Sequence, residues 1–292
     1  MKILLTGATS LPGLALLERL LEKNHEVRCL ARPGSPNLSR LDAGRVELFH
    51  GDAGDEESLV RALSGMEAVA HVAGLTFAPV VVAAMRRAGV ERLMAVGSTS
   101  VHSVYERRSG HRKAMEEVVW GSGLAWTVAR PTMIYGSELD WNMRHLLRFL
   151  DRSPVFPLFG AGTNLWQPVY HEDLALSLLA ALELPEAIHR SYDLPGAAPL
   201  TFRDLILIAA GALGRKPRIV RLPLEPVRHA LALAECARLP LPIKSEQVLR
   251  LREDKAYPYD EAREELGYAP RPFHEGIALE ISRLREVGMV RP

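Results

Sequence analysis

Two glycines, Gly7 and Gly13, lie between a short apolar segment at 2–5 and a stretch with helical periodicity at 14–21. A strand that turns through a glycine-containing loop directly into a helix opens a parallel βαβ unit. Gly7 allows the tight turn, and Gly13 allows the helix to pack closely on the strand. This loop restricts the start of the chain to a small group of α/β folds.

Strand and helix patterns alternate through the first half of the chain. Short apolar segments that predict strands lie at 2–5, 26–31, 67–72, 92–96 and 124–129. Segments with helical periodicity lie at 14–21, 55–63, 80–88 and around 115–119. Strands separated by helices of this length predict an α/β fold with a doubly wound parallel sheet.

Prolines become more frequent after Gly136. The patterns there predict helices at 141–150, 172–182, 201–213 and 224–237, with short strands at 190–194 and 218–222. We therefore expect a Rossmann-type domain over 1–136, with return elements near 166–182. A smaller α+β cap is expected over 137–292.

Composition excludes several classes of function. Thirty-six Lys and Arg residues against 35 Asp and Glu residues give a net charge of +1, which offers no electrostatic basis for binding nucleic acid. Cys29 and Cys236 are far apart and are expected to be reduced thiols in or near a core. The ten histidines have no metal-ligand spacing, so we expect no metal. We expect no membrane-spanning segment and a cytoplasmic location.

The middle of the glycine loop departs from the usual pattern, because Ser10 stands where a glycine normally lets the backbone approach a pyrophosphate. Serine is small and caps helices well, and Pro12 is tolerated in the first helical turn. The helix N-terminus can therefore still face an anion. The alternative is that Ser10 only caps the helix and no phosphate binds. The residues of this loop expected to bind the cofactor are Gly7, Thr9, Ser10, Leu11 and Gly13.

The end of the second strand indicates which dinucleotide would bind. Sites selective for NAD usually carry Asp or Glu there, where the carboxylate binds the ribose 2′-hydroxyl. Here the strand ends in Ala31 and Arg32, and Glu26 lies at its opposite end. Arginine can bind a 2′-phosphate, so NADP(H) is favoured over NAD(H). The alternative is that Arg32 is an ordinary exposed loop residue.

These features resemble the short-chain dehydrogenase/reductase superfamily in its extended or atypical branch, and the resemblance covers nearly the whole chain. The loop TGATSLPG is similar to the branch's TGATGFIG, and GD at 51–52 with DEESL at 55–59 is similar to GD-x-x-D-x-x-S-L. HVAG at 71–74 and RPTMIYG at 130–136 are similar to H-x-A-[AG] and R-P-x-x-[IV]-Y-G. The resemblance implies further cofactor contacts from Asp52, Ala53, Val72, Ala73, Gly74, Pro131 and Met133.

The resemblance also implies catalytic positions. GSTSVH at 97–102 is similar to S-S-x-x-V-Y, which implies that Ser98 is the active-site serine and orients a substrate carbonyl. In the superfamily's Y-x-x-x-K pair, Lys113 aligns with the lysine, which holds the cofactor ribose and takes part in acid–base chemistry. Ser109 stands at the tyrosine position. A serine hydroxyl is far less acidic than a phenol and is a poor proton donor for hydride transfer.

A missing tyrosine with a retained lysine is similar to isoflavone-reductase-like enzymes, NmrA-type redox sensors and the NAD(P)H-binding accessory subunit of respiratory complex I. Two hypotheses therefore stay open. The first is an NAD(P)-dependent oxidoreductase or epimerase/dehydratase-like enzyme acting on a small molecule, with nucleotide sugars among the candidates. The second is a non-catalytic dinucleotide-binding protein that serves as a redox sensor or an assembly subunit. A homodimer or a protein partner is compatible with both.

Overall fold

The computed structural model describes residues 1–226, 231, 235 and 253–292. The chain divides into two compact units. Unit 1 comprises 1–134, 169–195 and 258–270, and unit 2 comprises 135–168, 196–257 and 271–292. Most of the helix predicted at 224–237, together with Cys236, lies outside the described residues.

The strands of the described residues are numbered in chain order. They are β1 Lys2–Thr6, β2 Glu26–Ala31, β3 Glu47–His50, β4 Ala68–His71, β5 Arg92–Val96, β6 Ala125–Pro131, β7 Ile134–Tyr135, β8 Val155–Phe159, β9 Leu165–Trp166, β10 Val169–Tyr170, β11 Arg190–Leu194, β12 Leu200–Thr201 and β13 Arg218–Leu222. Each strand predicted from the sequence is present, with bounds that shift by two residues or fewer at either end.

The α-helices are numbered in the same way. They are α1 Leu11–Glu22, α2 Glu56–Leu63, α3 Ala78–Ala88, α4 Glu106–Trp120, α5 Asn142–Arg152, α6 His171–Glu183, α7 Phe202–Ala212, α8 Asp260–Leu266 and α9 Phe273–Glu286. Capping interactions close some of their ends. Asp55 accepts a hydrogen bond from the Glu57 amide at the start of α2, and Gly89 adopts a left-handed conformation, φ 70°, at the end of α3.

Unit 1 is built on a seven-stranded sheet of order β11-β6-β5-β4-β1-β2-β3, in which every neighbouring pair is parallel. The chain runs outward from β1 to β3 and then crosses back to β4. The order therefore reverses between β1 and β4, and in such sheets ligands bind outside the carboxyl ends of the strands at this point. The prediction of a doubly wound parallel sheet is confirmed.

The sheet separates two apolar clusters, because successive side chains of a strand point to opposite faces. In β1, Ile3 and Leu5 belong to the cluster that also holds residues of α1 and α6, whereas Leu4 belongs to the cluster with residues of α2 and α3. Cys29 is fully buried in the first cluster, and burial raises the pKa of its thiol to about 12. It is a neutral core thiol, as expected from the sequence.

Within unit 2, helices α5 and α9 each pack against α7. Strands β8 and β13 form a parallel pair, and β9 and β12 form an antiparallel pair. Several carboxylates are buried in this unit. Among them, Glu138 receives two hydrogen bonds from the Arg283 guanidinium, at 2.9 and 3.0 Å.

Among the described residues, no helix has both the length and the apolar character needed to cross a lipid bilayer.

Candidate functional site

The loop between β1 and α1 approaches the end of β4 so closely that no side chain fits at Gly7. Gly7 has a φ of +71°, and a Cβ atom there would lie 2.6 Å from the Ala73 nitrogen. A Cβ atom on Gly13 would lie 2.1 Å from the Gly7 carbonyl oxygen. Both contacts are with backbone, which cannot move aside cheaply. The roles predicted for the two glycines, a tight turn and close helix packing, agree with this geometry.

Ser10 is the N-cap of α1 and closes the loop on itself. Its hydroxyl donates to the Gly7 carbonyl at 2.7 Å and accepts from the Gly13 amide at 3.1 Å. The Ser10 amide also donates to the Gly7 carbonyl, at 3.0 Å. Asn37, which follows β2, donates from Nδ2 to the Thr9 carbonyl at 3.1 Å. Residues 7–13, which we call the phosphate-type loop, are therefore held in one conformation by hydrogen bonds of the chain itself.

Arg32 follows β2, and its side chain is exposed. No described residue forms an ion pair or a side-chain hydrogen bond with its guanidinium. The end of β2 carries no carboxylate, since Glu26 begins this strand. A cationic group with no internal partner among the described residues therefore stands at the carboxyl end of the strand next to β1.

The contacts of Gly51 and Asp52, which follow β3, account for the Gly-Asp pair of the motif. A Cβ atom on Gly51 would lie 2.1 Å from the hydroxyl oxygen of Ser58, a buried residue of α2. That hydroxyl also lies 3.3 Å from the Asp52 amide, from which it accepts. The Asp52 carboxylate accepts from the Gly54 amide at 2.8 Å and so shapes the turn that contains Ala53.

His71 joins the ends of β1 and β4. Its Nδ1 lies 2.7 Å from the Thr6 hydroxyl, and its Nε2 lies 3.0 Å from the Gly74 carbonyl. Because a carbonyl can only accept, Nε2 carries the proton and Nδ1 accepts from Thr6. Burial lowers the pKa of the ring to about 4. His71 is therefore a neutral, packed histidine that fixes the loop at Val72, Ala73 and Gly74.

Ser98 begins a short 3-10 helix, Thr99–His102, directly after β5. Its Oγ accepts from the Ser100 amide at 3.3 Å and from the Ser100 hydroxyl at 2.9 Å. With both bonds accepted, the hydrogen of the Ser98 hydroxyl can be donated to another group. Thr99 donates to the Pro131 carbonyl at 3.3 Å, which connects this turn to the end of β6.

Helix α4 carries Ser109 and Lys113, the two positions that the sequence resemblance assigns to the superfamily's catalytic pair. The Ser109 side chain is only 3% exposed and donates to the Tyr105 carbonyl at 3.4 Å. Lys113 is exposed one turn later. Tyr105 is the N-cap residue of α4 and not part of a helical Y-x-x-x-K register. The hydroxyl at position 109 is therefore occupied with a backbone bond, whereas Lys113 has no partner among the described residues.

An ion-pair network that the sequence analysis did not identify connects helix α4 to the sheet. Glu116, only 1% exposed, receives two hydrogen bonds from Arg130, at 2.9 Å from Nε and 2.7 Å from Nη2. Arg130 Nη1 lies 3.8 Å from Asp193, whose carboxylate is 2.9 Å from His102 Nε2. The network connects α4, β6, β11 and the turn after β5. The sequence indicates Arg130 only as part of a motif, and nothing in it distinguishes Glu116 from Glu117.

Most of the residues expected to form the site follow the carboxyl ends of neighbouring parallel strands. The phosphate-type loop follows β1, and Arg32 follows β2. The segment after β3 contains Asp52 and Ala53, and the segment after β4 contains Val72, Ala73 and Gly74. Ser98 follows β5, Pro131 ends β6, and Met133 follows it. Lys113 comes from α4, which packs against the 3-10 helix that Ser98 caps. The topology therefore places the expected residues along the carboxyl ends of the strands. A row of this kind would accommodate an extended ligand.

Comparison with solved structures supports the fold. A nucleoside-diphosphate-sugar epimerase from Pseudomonas aeruginosa superposes with a TM-score of 0.78 at 22% identity, covering 100% of this chain and 99% of that one. UDP-glucose 4-epimerase from Thermotoga maritima superposes with a TM-score of 0.76 at 18% identity, covering 98% and 99%. At these identities the likeness concerns architecture alone.

Sequence comparison identifies the family. A family model described as NAD(P)H-binding matches residues 7–149. The (4-alkanoyl-5-oxo-2,5-dihydrofuran-3-yl)methyl phosphate reductase of Streptomyces griseus is 30% identical over 290 residues, covering 94% of this chain and 96% of the relative. Ceramide reductase of Caulobacter vibrioides is 29% identical, covering 80% and 77%. Subunit 9 of the mitochondrial NADH dehydrogenase 1 alpha subcomplex of Arabidopsis thaliana is 26% identical, covering 87% and 69%. The chain belongs to the NAD(P)H-binding proteins of the extended or atypical short-chain dehydrogenase/reductase superfamily.

Proposed function

We propose that this protein is an NADP(H)-dependent oxidoreductase that reduces a carbonyl group of a small-molecule substrate. In this proposal unit 1 binds the dinucleotide and unit 2 contributes the substrate-binding residues. The reductases among the relatives, which align with most of this chain, favour reduction over sugar epimerisation.

The observation that carries the proposal is the close backbone approach at Gly7 and Gly13, which holds a tight, glycine-containing turn directly at the N-terminus of α1. The first amides of a helix have no intrahelical acceptor, and the helix dipole favours an anion at this end. A pyrophosphate would therefore bind at this end of α1. The residues that would hold it are Gly7, Thr9, Ser10, Leu11 and Gly13.

Arg32 supports the choice of NADP(H). A guanidinium with no internal partner among the described residues would bind the 2′-phosphate through charge-assisted hydrogen bonds. Asp52 and Ala53, after β3, would contact the adenine. The rest of the dinucleotide would extend along Val72, Ala73 and Gly74 towards Pro131 and Met133.

Lys113 and Ser98 are proposed as the residues beside the reacting atoms. When bound, the reduced nicotinamide supplies a hydride to the carbonyl carbon. The Ser98 hydroxyl would donate to the carbonyl oxygen and orient it, because its two accepted bonds leave its own hydrogen available. The Lys113 ammonium would donate to the ribose hydroxyls and hold a positive charge near the developing alkoxide. The proton taken up by the oxygen would come from Lys113, from Ser98 or from water.

Calorimetric titration with NADPH and NADH tests the binding step. Loss of NADPH absorbance with a panel of ketones, 3-oxo acyl compounds, unsaturated lactones and nucleotide sugars tests the reaction. We expect tighter binding of NADPH and turnover of at least one carbonyl compound. Equal affinities for the two cofactors would refute the Arg32 assignment, and no loss of NADPH absorbance with any carbonyl compound would refute the carbonyl reductase.

A second candidate is a dinucleotide-binding protein without catalytic activity, which acts as a redox sensor or as a subunit that assembles with another chain. The observation that favours it is the buried serine at position 109, where the superfamily's enzymes carry a tyrosine. Tight cofactor binding with no turnover on the panel, together with co-purification of a second protein, would establish this alternative.

A further inference from the structure

One face of helix α5, in unit 2, exposes aromatic and basic side chains together. We define the α5 face as Trp141, His145, Arg148, Phe149 and Arg152. Trp141 is 71% exposed and Phe149 is 43% exposed, which is unusual for such large apolar side chains. The opposite side of the same helix is fully buried through Met143, Leu147 and Leu150.

The aromatic residues are aligned along the helix. Trp141, His145 and Phe149 follow each other at intervals of four residues, so their side chains lie on one side. The rings of Trp141 and His145 are 4.3 Å apart between centroids. His145, Arg148, Phe149 and Arg152 then line a single surface depression with Ser153 and Pro154. The α5 face is therefore continuous and not a set of scattered side chains.

The two arginines of the α5 face differ from their neighbours in having no internal acceptor among the described residues. Arg148 Nε is buried without a hydrogen-bond acceptor there, and the exposed Arg152 forms no ion pair with any described side chain. By contrast, Arg215 and Arg291 both donate to Asp151 inside unit 2. Within the described part of the chain, the charge of the α5 face is therefore uncompensated.

The segments that carry and flank the α5 face contain few carboxylates. Between positions 141 and 159 the sequence contains one, Asp151, and its side chain is only 3% exposed. Strand β13 pairs with β8 so that Arg218 lies opposite Val155, itself 39% exposed, and Arg221 opposite Leu158. Positions 215–224 contain no Asp or Glu in the sequence. Both segments therefore add basic residues and an exposed valine beside the end of α5 in the sequence, without compensating carboxylates.

We propose that the α5 face binds the surface of a bilayer that contains anionic phospholipids. Helices that lie in a membrane interface insert aromatic side chains at the acyl boundary while arginines bind the lipid phosphates. Here the arginines alternate with the aromatic residues and have no carboxylate partners among the described residues, so lipid phosphates match the charge of the α5 face. The helix, about 16 Å long, would lie parallel to the membrane plane.

Co-sedimentation of the full chain with vesicles tests this proposal. We expect binding to vesicles containing phosphatidylglycerol, weak binding to pure phosphatidylcholine, and loss of binding as salt is raised. Replacing both aromatic residues, Trp141→Ser with Phe149→Ser, should weaken partitioning by about tenfold or more. Reversing both charges, Arg148→Glu with Arg152→Glu, should also weaken partitioning onto anionic vesicles by about tenfold or more.

A charge-matched control is Lys23→Glu with Arg61→Glu, two exposed residues of unit 1. This variant has the same net charge as the arginine variant and should retain vesicle binding. Unchanged thermal melting and NADPH affinity of all variants would show that they are folded. In addition, lipids brominated near the headgroup should quench Trp141 fluorescence, and the quenching should disappear in Trp141→Phe.

Three results would overturn the proposal. These are no binding to anionic vesicles, equal loss in the control variant, or vesicle binding that survives in both α5-face variants. If the protein is a dimer that Trp141→Ser with Phe149→Ser converts to a monomer, and no vesicle binding occurs, the α5 face is a subunit interface instead.

Discussion

Glu116 of helix α4 and Arg130 of strand β6 form a two-point ion pair, with nitrogen–oxygen distances of 2.9 and 2.7 Å. The exposed fractions of their side chains are 1% and 12%. The pair fixes the helix that carries Lys113 against the sheet. Removing one partner of a buried pair leaves the other charge without compensation.

We therefore predict that Glu116→Ala destabilises the protein by about 3 kcal/mol, since Arg130 would keep its buried charge. Urea unfolding followed by circular dichroism measures the change. The matched control is Glu117→Ala, which removes the neighbouring exposed carboxylate of the same helix. Similar losses in the two variants would contradict the special role of position 116.

The glycines of the phosphate-type loop give a second prediction. Gly7→Val should abolish dinucleotide binding, because its Cβ would lie 2.6 Å from the Ala73 nitrogen in a backbone conformation that valine avoids. Calorimetry with NADPH measures the loss. Gly211→Ala in α7, where a Cβ meets no atom within 4 Å, is the control and should bind normally. Retained affinity in Gly7→Val would mean that the dinucleotide does not use this loop.

Ser10 gives a third prediction, which separates capping from ligand binding. Ser10→Gly should keep its affinity for the dinucleotide and lose only a few tenths of a kcal/mol of stability, because glycine is tolerated at an N-cap. Ser10→Ala should cost about 1 kcal/mol. A large drop in NADPH affinity with Ser10→Gly would show that the hydroxyl binds phosphate directly, contrary to the capping interpretation.

Arg32 gives a fourth prediction. Arg32→Ala should lower NADPH affinity by about tenfold or more while leaving NADH affinity unchanged, since a charge-assisted bond to phosphate contributes roughly 1.5–3 kcal/mol. Titration of both cofactors against both proteins gives the four required constants. Lys23→Ala, which removes a positive charge elsewhere in unit 1, is the control. An undiminished NADPH preference in Arg32→Ala would exclude this residue as the 2′-phosphate ligand.

Glu280 of α9 gives a prediction about pH. Burial and the nearby Asp140 carboxylate raise the pKa of Glu280 from 4.5 to about 11. The unfolded chain releases this proton at a lower pH than the folded chain, so the carboxyl makes folding less favourable as pH rises between those two values. Glutamine has no ionisable carboxyl group, so Glu280→Gln removes this pH-dependent contribution to stability.

The Glu280→Gln variant should therefore melt at a higher temperature than the unaltered protein, by a margin that widens from mildly acidic to neutral buffer. Glu275→Gln, an exposed position on the same helix, should show no such trend. A margin that stays constant with pH would contradict a protonated Glu280.

The elements that were predicted from the sequence are those whose conformation depends mainly on their own residues. Strand β5 is a continuous apolar run, helix α1 shows clear helical periodicity, and the N-cap role of Ser10 depends on residues within one helical turn. Strand β3 was not predicted, because Glu47 and His50 leave only two half-buried residues between them at the sheet edge.

The elements and contacts that were missed depend on distant parts of the chain. Helix α9 places Glu280 at a fully buried position of its apolar face, which breaks the expected pattern. The Glu116–Arg130 pair joins positions 14 residues apart, and the neighbouring Glu117 has the same side chain. Only the packing of α4 on the sheet determines which of the two carboxylates is buried.

The position of β11 in the sheet has a consequence for synthesis of the protein. Strand β6 pairs with β11 on its outer edge, and the hydroxyls of Tyr192 and Tyr268 donate to Glu265 and to the Pro195 carbonyl. The ribosome must therefore translate 135–168 before β11 can join the sheet, and 196–257 before α8 can complete unit 1. Until β11 emerges, the edge of β6 exposes unpaired backbone groups, the kind of surface that chaperones shield from aggregation during translation.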